Sequence, residues 1–527
     1  FKRFHIHNSG IPFTDGSGSS TIINDLSYAV QTSVDINNSL GSIEKFEMLD
    51  YGVTDASGGN AAYMKNLFVD STNNRLIHHT YTNSHLKHKL SNTNVTDISV
   101  DTTASVAGDT FRTATFSRDG SRYAISCFNS SSGSEIGSVK IYNTADHTQV
   151  GQDLSANGDI SHTYGGTTIT ITADHFGVDL ALNGVGDRIA VLISDNSGNA
   201  YSGIRVYDLS SNGQWQESYL YHDPIPIYGT SLFSVDLDFT GHTLAFSSIL
   251  ADEAYFSGVD GNNDTGVVGV FELATVGSIT NSTLTVGDVK ASFVGISNEQ
   301  KIGESICLSS DGNTLAFRYD DDNFKVYNIG SNQATQIGSE TDVSGHVRLA
   351  MNEDGTIITS GDIEDIYVHE YNAASEKWQL KGSKIPMINF PNGPHDPYWP
   401  TAYSATYRFS IDHIRFMQTL DVAIDKHGNT LVYGAPNMYT GDASGGIFVH
   451  KYNHAIADWI LFATFDAIGF DTTFFGFKVG MSEDSTKIFA VSHHVKEDFS
   501  LISGKVPKIF TYTFDTATHE YNPIEPC

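Results

Sequence analysis

The stretch Asp260-Gly-Asn262-Asn-Asp264-Thr-Gly266 places side-chain oxygens at alternating positions, an arrangement that suits a hard cation such as Ca²⁺. Thr follows Asp264 where a glycine is wanted, and Val268 stands where a further carboxylate is expected. A plain polar loop therefore competes with a calcium site at Asp260, Asn262 and Asp264, and calcium is the one cofactor the sequence suggests. Asp320, Asp321 and Asp322 form a second acidic cluster, in a short turn between strands, and read as solvated. His78, His79, His85 and His88 gather within HHTYTNSHLKH; on a strand His78 and His79 face opposite ways, so the four converge only with a bend. His493-His494 reads in the same way. No nucleophile elbow, P-loop or zinc-helix motif appears.

The other stretch with binding character is 381–418, KGSKIPMINFPNGPHDPYWPTAYSATYRFSIDHIRFMQ. Prolines limit the entropy lost when a loop is ordered, and aromatic rings supply contact area. Phe390, Tyr398, Trp399 and Tyr403 are the expected partner-binding residues, against the plainer alternative of a rigid loop packed on its own fold.

The elements that must position these residues are short strands. Polarity is carried by Ser, Thr, Asn and 48 Gly rather than by charge, β-branched and aromatic residues dominate the apolar runs, and no helical periodicity is sustained. With 61 Asp+Glu against 30 Lys+Arg the net charge is -31, a surface that repels nucleic acid and anionic membranes; neither is expected as a partner. No apolar run is long enough to span a bilayer. Cys127, Cys307 and Cys527 are too few for a disulfide scaffold; the first two lie in or beside core strands, and Cys527 is a candidate for cross-linking to a partner. The chain begins at Phe1, which points to a removed leader or a fragment. Sequons at Asn37, Asn94, Asn129, Asn263 and Asn281 favour secretion only weakly in so Asn- and Ser-rich a chain.

One unit repeats. Its best copy is 420–459, LDVAIDKHGNTLVYGAPNMYTGDASGGIFVHKYNHAIADW: four strand-length runs separated by turn chemistry. Further copies open at 66–81, 114–126, 178–194, 235–248, 306–317, 347–360 and 479–492, giving eight units. In each, a tight turn joins the first two strands. In SSDGNTL, Asp311 is placed to accept from N–H groups just ahead, and Gly312 supplies the positive φ of the hairpin, leaving Ile306, Leu308, Leu315 and Phe317 on one alternating face. The last unit has Ser485 at the glycine position, which predicts a strained or altered turn. Trp215, Trp378 and Trp459 mark the fourth strand; where Trp is absent, TQVGQ (148–152) and TQIGS (335–339) stand in its place.

A four-stranded meander cannot bury both faces alone, so the units must stack, and closing them into a ring also protects the sheet edges. The expected fold is all-β, a β-propeller of seven or eight four-stranded antiparallel blades. It is expected over 61–515, with an insertion at 381–418, an N-terminal extension 1–60 whose last strand is a candidate to complete a blade, and a tail 516–527.

The frame S-x-D-G-x-x-L-A, then Gly434-Ala435-Pro436, a Gly-rich loop, G-x-V-x-V-Y and a trailing Trp, resembles the FG-GAP repeats of integrin-α-like propellers, most nearly the divergent repeats of large algal viruses and marine microbes. Phe176-Gly177 and Phe475-Gly476 match the pair that names the family. The resemblance implies a seven-bladed ring, Ca²⁺ in loops of the 260–266 kind, and an adhesive or assembly role on the surface of a virus particle, a cell or an extracellular appendage.

The expected function is accordingly a non-catalytic structural or adhesive module binding protein or glycan partners. The alternative is a carbohydrate-active or carbohydrate-binding propeller using its central pore. Catalysis predicts a pore-facing pocket with convergent carboxylates and a perturbed pKa, whereas scaffolding predicts contact surfaces on blade edges or on the Pro-rich loop.

Overall fold

A computed structural model of the chain describes the strands of residues 51–90. From 109 to 523 it describes everything but short connecting segments and the stretches 195–201, 223–231, 252–264, 387–420, 436–444, 467–474 and 493–507. Strands are almost the whole of it; one 3-10 turn, Val286–Asp288, is the only helical element among the described residues. Seven antiparallel sheets form the blades of a propeller. Their innermost strands are, in chain order, Asp109–Phe116, Phe176–Leu182, Leu232–Leu237, Ile306–Leu308, Arg348–Met351, Val422–Ile424 and Lys478–Met481, and each packs beside the next, the seventh against the first.

Alternation along these strands builds the core. Ile306 pairs with Phe317 and Leu308 with Leu315, and all four are buried. The apolar clusters lie between blades rather than within them: Leu192, Ile204 and Tyr221 of blade 2 meet Val235, Leu244, Phe246 and Phe271 of blade 3 in one cluster. Tyr221 packs edge-on against Phe271 at 4.8 Å, and Phe271 stacks on Phe246 at 5.1 Å. A blade therefore completes its core only by having neighbours.

The tight turn of each blade also fastens the ring. Its second residue donates its backbone N–H to the carbonyl of the second residue of the next turn: Gly184 to Phe239, Phe239 to Ser310, Ser310 to Glu353, Glu353 to Lys426, Lys426 to Glu483 and Glu483 to Arg118, at 2.6 to 3.3 Å. Asp119 donating to Gly184 at 3.0 Å completes a circle of seven. Inside each turn the expected chemistry is present: Asp311 accepts from Asn313 N–H at 3.0 Å, and Gly312 has φ +68°. Ser485 does occupy the left-handed region, at φ +56°. Ser485→Gly is expected to stabilise the protein by about 0.5–1 kcal/mol, read from urea unfolding, because only glycine enters that region without a Cβ penalty.

The tryptophans stitch blades together. Trp215 Nε1 donates to Val150 O (2.8 Å), Trp378 Nε1 to Ile337 O (2.9 Å) and Trp459 Nε1 to Lys381 O (2.7 Å), each on the preceding blade. The TQVGQ and TQIGS elements thus take the fourth-strand place of their own blades and also receive the next blade's indole. A Cβ on Gly151 would lie 2.6 Å from Trp215 Cδ1, which is why glycine stands there. Trp378→Phe, which keeps a ring but loses the donor, is expected to cost roughly 1–2 kcal/mol in the same measurement.

Two expectations are corrected. Of the two expected counts, seven is the one formed, and the first of the eight units, 66–81, is not among the blades: Tyr51–Thr54, Ala61–Asp70, Arg75–Thr82 and His85–Leu90 form a separate four-stranded sheet. The ring closes directly between blades 7 and 1 instead. Its last strand is Glu520–Pro523, within the stretch read as a tail, with Tyr521 opposite Phe514.

Candidate functional site: the central channel

Seven inner strands around one axis bring seven sets of side chains together. A cavity of about 280 Å³ lies on that axis, lined by residues from every blade. Its side chains fall into levels set by distance from the tight turn, because every second residue of an inner strand faces the same way.

At the turn end Arg118 crosses the channel. Its guanidinium donates to Ser310 Oγ at 3.2 Å and to the carbonyls of Leu237 and Leu308 at 3.2 and 3.0 Å, with Asp236 at 3.5 Å and Glu483 at 4.0 Å. Ser310 Oγ donates in turn to Glu483. One residue of blade 1 thereby ties blades 3, 4 and 7 across the axis and fills this end.

The next level, two residues before each turn, is made of small side chains except Asp236 and Cys307. A quarter of the Asp236 side chain is exposed, and it lines the channel. Burial pushes its carboxyl above the usual range; the nearby Arg118 guanidinium and the Leu308 and Leu237 N–H groups oppose that. Burial, reinforced by Asp236, likewise pushes the Cys307 thiol far up, so it is no nucleophile at neutral pH.

Four residues before each turn lies the polar level: Asp179, Ser234, Ser305, Arg348, Asp421 and Lys478, from blades 2 to 7. Asp179 Oδ2 accepts from Ser234 Oγ at 2.9 Å and from Val235 N–H at 3.1 Å. Asp421 Oδ2 accepts from Val479 N–H at 2.9 Å. Each carboxylate is thus clamped through one oxygen to the next blade's backbone. Among the described residues the other oxygen of each accepts no hydrogen bond. The Arg348 and Lys478 side chains have neither an ion pair nor a hydrogen bond among the described residues.

Asp260, Asn262 and Asp264, the acidic run at 320–322 and His493-His494 lie outside the described residues, as do Phe390, Tyr398, Trp399 and Tyr403. In the separate sheet His79 stands opposite His88 and His78 opposite Lys89, the split that alternation predicts. Among the described residues no group of three or more His, Cys, Asp or Glu could hold a metal ion. The channel residues Asp179, Arg348, Asp421 and Lys478 were missed. The signal was their common position, four before the turn, legible only by laying the repeats side by side.

No family model and no curated protein matches the chain; of the FG-GAP resemblance, the seven-bladed propeller is what the structure shows. Solved structures do match. A protein of Bacteroides uniformis described as a candidate 6-phosphogluconolactonase is 10% identical, covering 76% of this chain and 95% of its own, with a TM-score of 0.43. The Cps50 (Swd1) β-propeller domain of Myceliophteria thermophila is 10% identical over 73% of this chain and 93% of its own, TM-score 0.42. The periplasmic gluconolactonase PpgL of Pseudomonas aeruginosa is 11% identical over 74% and 91%, TM-score 0.40. At these identities the likeness is one of fold. The expectation of a chain without catalysis is corrected on the channel itself, which holds the pore-facing carboxylates Asp179, Asp236 and Asp421 and a raised pKa at Asp236, the features that catalysis predicts.

Proposed function

We propose that the protein is a carbohydrate-active propeller that takes a small sugar into its central channel. The observation that carries this is the pair Asp179 and Asp421, each held by one oxygen to the next blade's backbone, the other accepting no hydrogen bond among the described residues, and both lining the cavity. Ionised carboxylates are acceptors only, and charge-assisted hydrogen bonds from hydroxyl groups are among the stronger ones available to a neutral ligand. A volume of about 280 Å³ is at the lower end of ligand pockets, which suits a monosaccharide rather than a chain. Asp236, one level deeper, is the carboxyl held toward its protonated form and hence the group able to pass a proton to a bound sugar. The adhesive reading rested on the FG-GAP resemblance and on 381–418, most of which lies outside the described residues.

Isothermal titration with monosaccharides, neutral and acidic, tests the proposal. Binding is expected, weakened about 10-fold by Asp421→Asn and by Asp179→Asn, since each variant keeps an oxygen for the backbone clamp but loses the charge. No binding by any monosaccharide, or binding indifferent to both substitutions, would sink it.

A further inference from the structure

We infer that the channel selects sugars carrying an anionic group, a carboxylate or a phosphate, and seats that group on Arg348 and Lys478. This rests on the carbohydrate reading above but on different residues. Arg348 is on blade 5 and Lys478 on blade 7, either side of Asp421 on blade 6, and all three stand at the same level of the channel. Both cations are only partly exposed, and neither has a partner among the described residues.

In a chain of net charge -31, with two acidic residues for every basic one, unpaired cations inside a cavity are unexpected. Nearly every side chain available to neutralise them is acidic, and the Asp421 carboxylate between them is engaged through Oδ2 with Val479 N–H. Counting the charged residues that line the cavity, Arg118, Arg348, Lys426 and Lys478 stand against Asp179, Asp236, Glu353, Asp421 and Glu483. With Asp236 held toward its protonated form the two signs balance, so the channel is close to neutral inside a strongly acidic protein. Arg118 is already occupied at the turn end, which leaves Arg348 and Lys478 as the cations that face the ligand level. A guanidinium offers two parallel donors to a carboxylate or phosphate, and the ammonium adds a point charge from the far side of Asp421. The sugar's hydroxyl groups then fall to Asp179 and Asp421.

Glucose, glucuronate and glucose 6-phosphate share a ring and differ at one carbon, so titrating the three at fixed ionic strength isolates the charge. Glucuronate or glucose 6-phosphate, or both, are expected to bind at least about 10-fold more tightly than glucose, and which of them does so tells carboxylate from phosphate. Arg348→Gln and Lys478→Gln are each expected to remove most of that advantage, narrowing the ratio between anionic sugar and glucose to about 1. Neither side chain holds the fold together, so the variants should melt as the parent does. Glucose binding as tightly as both anions, or anion binding indifferent to both substitutions, overturns the inference while the carbohydrate site stands. If none of the three binds, the inference falls, and the carbohydrate site falls with it when no other monosaccharide binds either.

Discussion

Arg188→Met is expected to destabilise the protein by about 3–5 kcal/mol in urea unfolding, more than any surface change, because it leaves a carboxylate buried and unpaired. Arg188 is fully buried and grips Asp208 with both ends of its fork: Nε to Oδ1 at 2.6 Å and Nη2 to Oδ2 at 2.7 Å. Its remaining nitrogen donates to the carbonyls of Gly241 at 2.6 Å and Ala274 at 2.8 Å, both on the next blade, and the guanidinium lies 5.7 Å from the Tyr219 ring. Asp208 accepts in addition from Gly277 N–H at 2.7 Å. The pair is thus the joint between blades 2 and 3 rather than an isolated bridge. Arg122 and Lys487 stand at the same place in their blades and make the same reach, to the carbonyls of Gly186 and Gly120 at 2.8 Å, but they are only partly buried and their loss should cost less. The double variant Arg188→Met, Asp208→Leu is expected to recover much of the loss, since a buried ion pair replaced whole by apolar groups is often near neutral. Equal instability of the single and double variants would show that the inter-blade carbonyl bonds, and not the orphaned charge, set the cost.

What could be read from the sequence were features that lie within one unit. The turn from Ser309 to Gly312, the pairing of Ile306 with Phe317 and the exceptional Ser485 are local, and local rules reached them. The weak unit at 66–81 has the same strand–turn–strand pattern, and it does form paired strands; that these make a sheet of their own is decided by which neighbours it meets, which periodicity does not encode. The tryptophans show the same boundary. That they mark the fourth strand is legible within a unit, but that each indole serves the preceding blade is a relation between units. The channel is the extreme case. Asp179 and Lys478 come to one level only because seven inner strands share an axis, so no linear motif marks them, whereas runs such as 260–266 are conspicuous because their oxygen-bearing residues are contiguous.

Acid should unfold this protein in a window that carboxylates do not explain. His369 and His450 sit at matching places in the third strands of blades 5 and 6, with exposures of 4% and 5%. Burial pushes both imidazoles down from 6.5 to about 4. Nδ1 of each is buried without a hydrogen-bond partner, and the surroundings are aromatic: Phe324 and Tyr367 at 5.6 and 6.4 Å from His369, Tyr433 at 5.6 Å from His450. The folded state therefore binds a proton less readily than the unfolded chain. The stability that goes with the neutral rings is fully present above pH 6.5 and is lost as pH falls from there through about 4. A shift of this size is worth about 3 kcal/mol for each ring, so the two together remove up to about 6 kcal/mol. Asp458, whose carboxyl the Ser383 and Trp459 N–H groups hold below the ordinary 3.8, titrates outside that window. Urea midpoints measured from pH 7.5 to 4 should fall steeply for the parent. For His369→Phe combined with His450→Phe the slope between pH 6.5 and 4 should be much shallower, because phenylalanine fills the same aromatic pockets without taking up a proton. An unchanged slope in the double variant would mean that other groups drive the acid transition and that the two imidazoles protonate in place without loss of the fold.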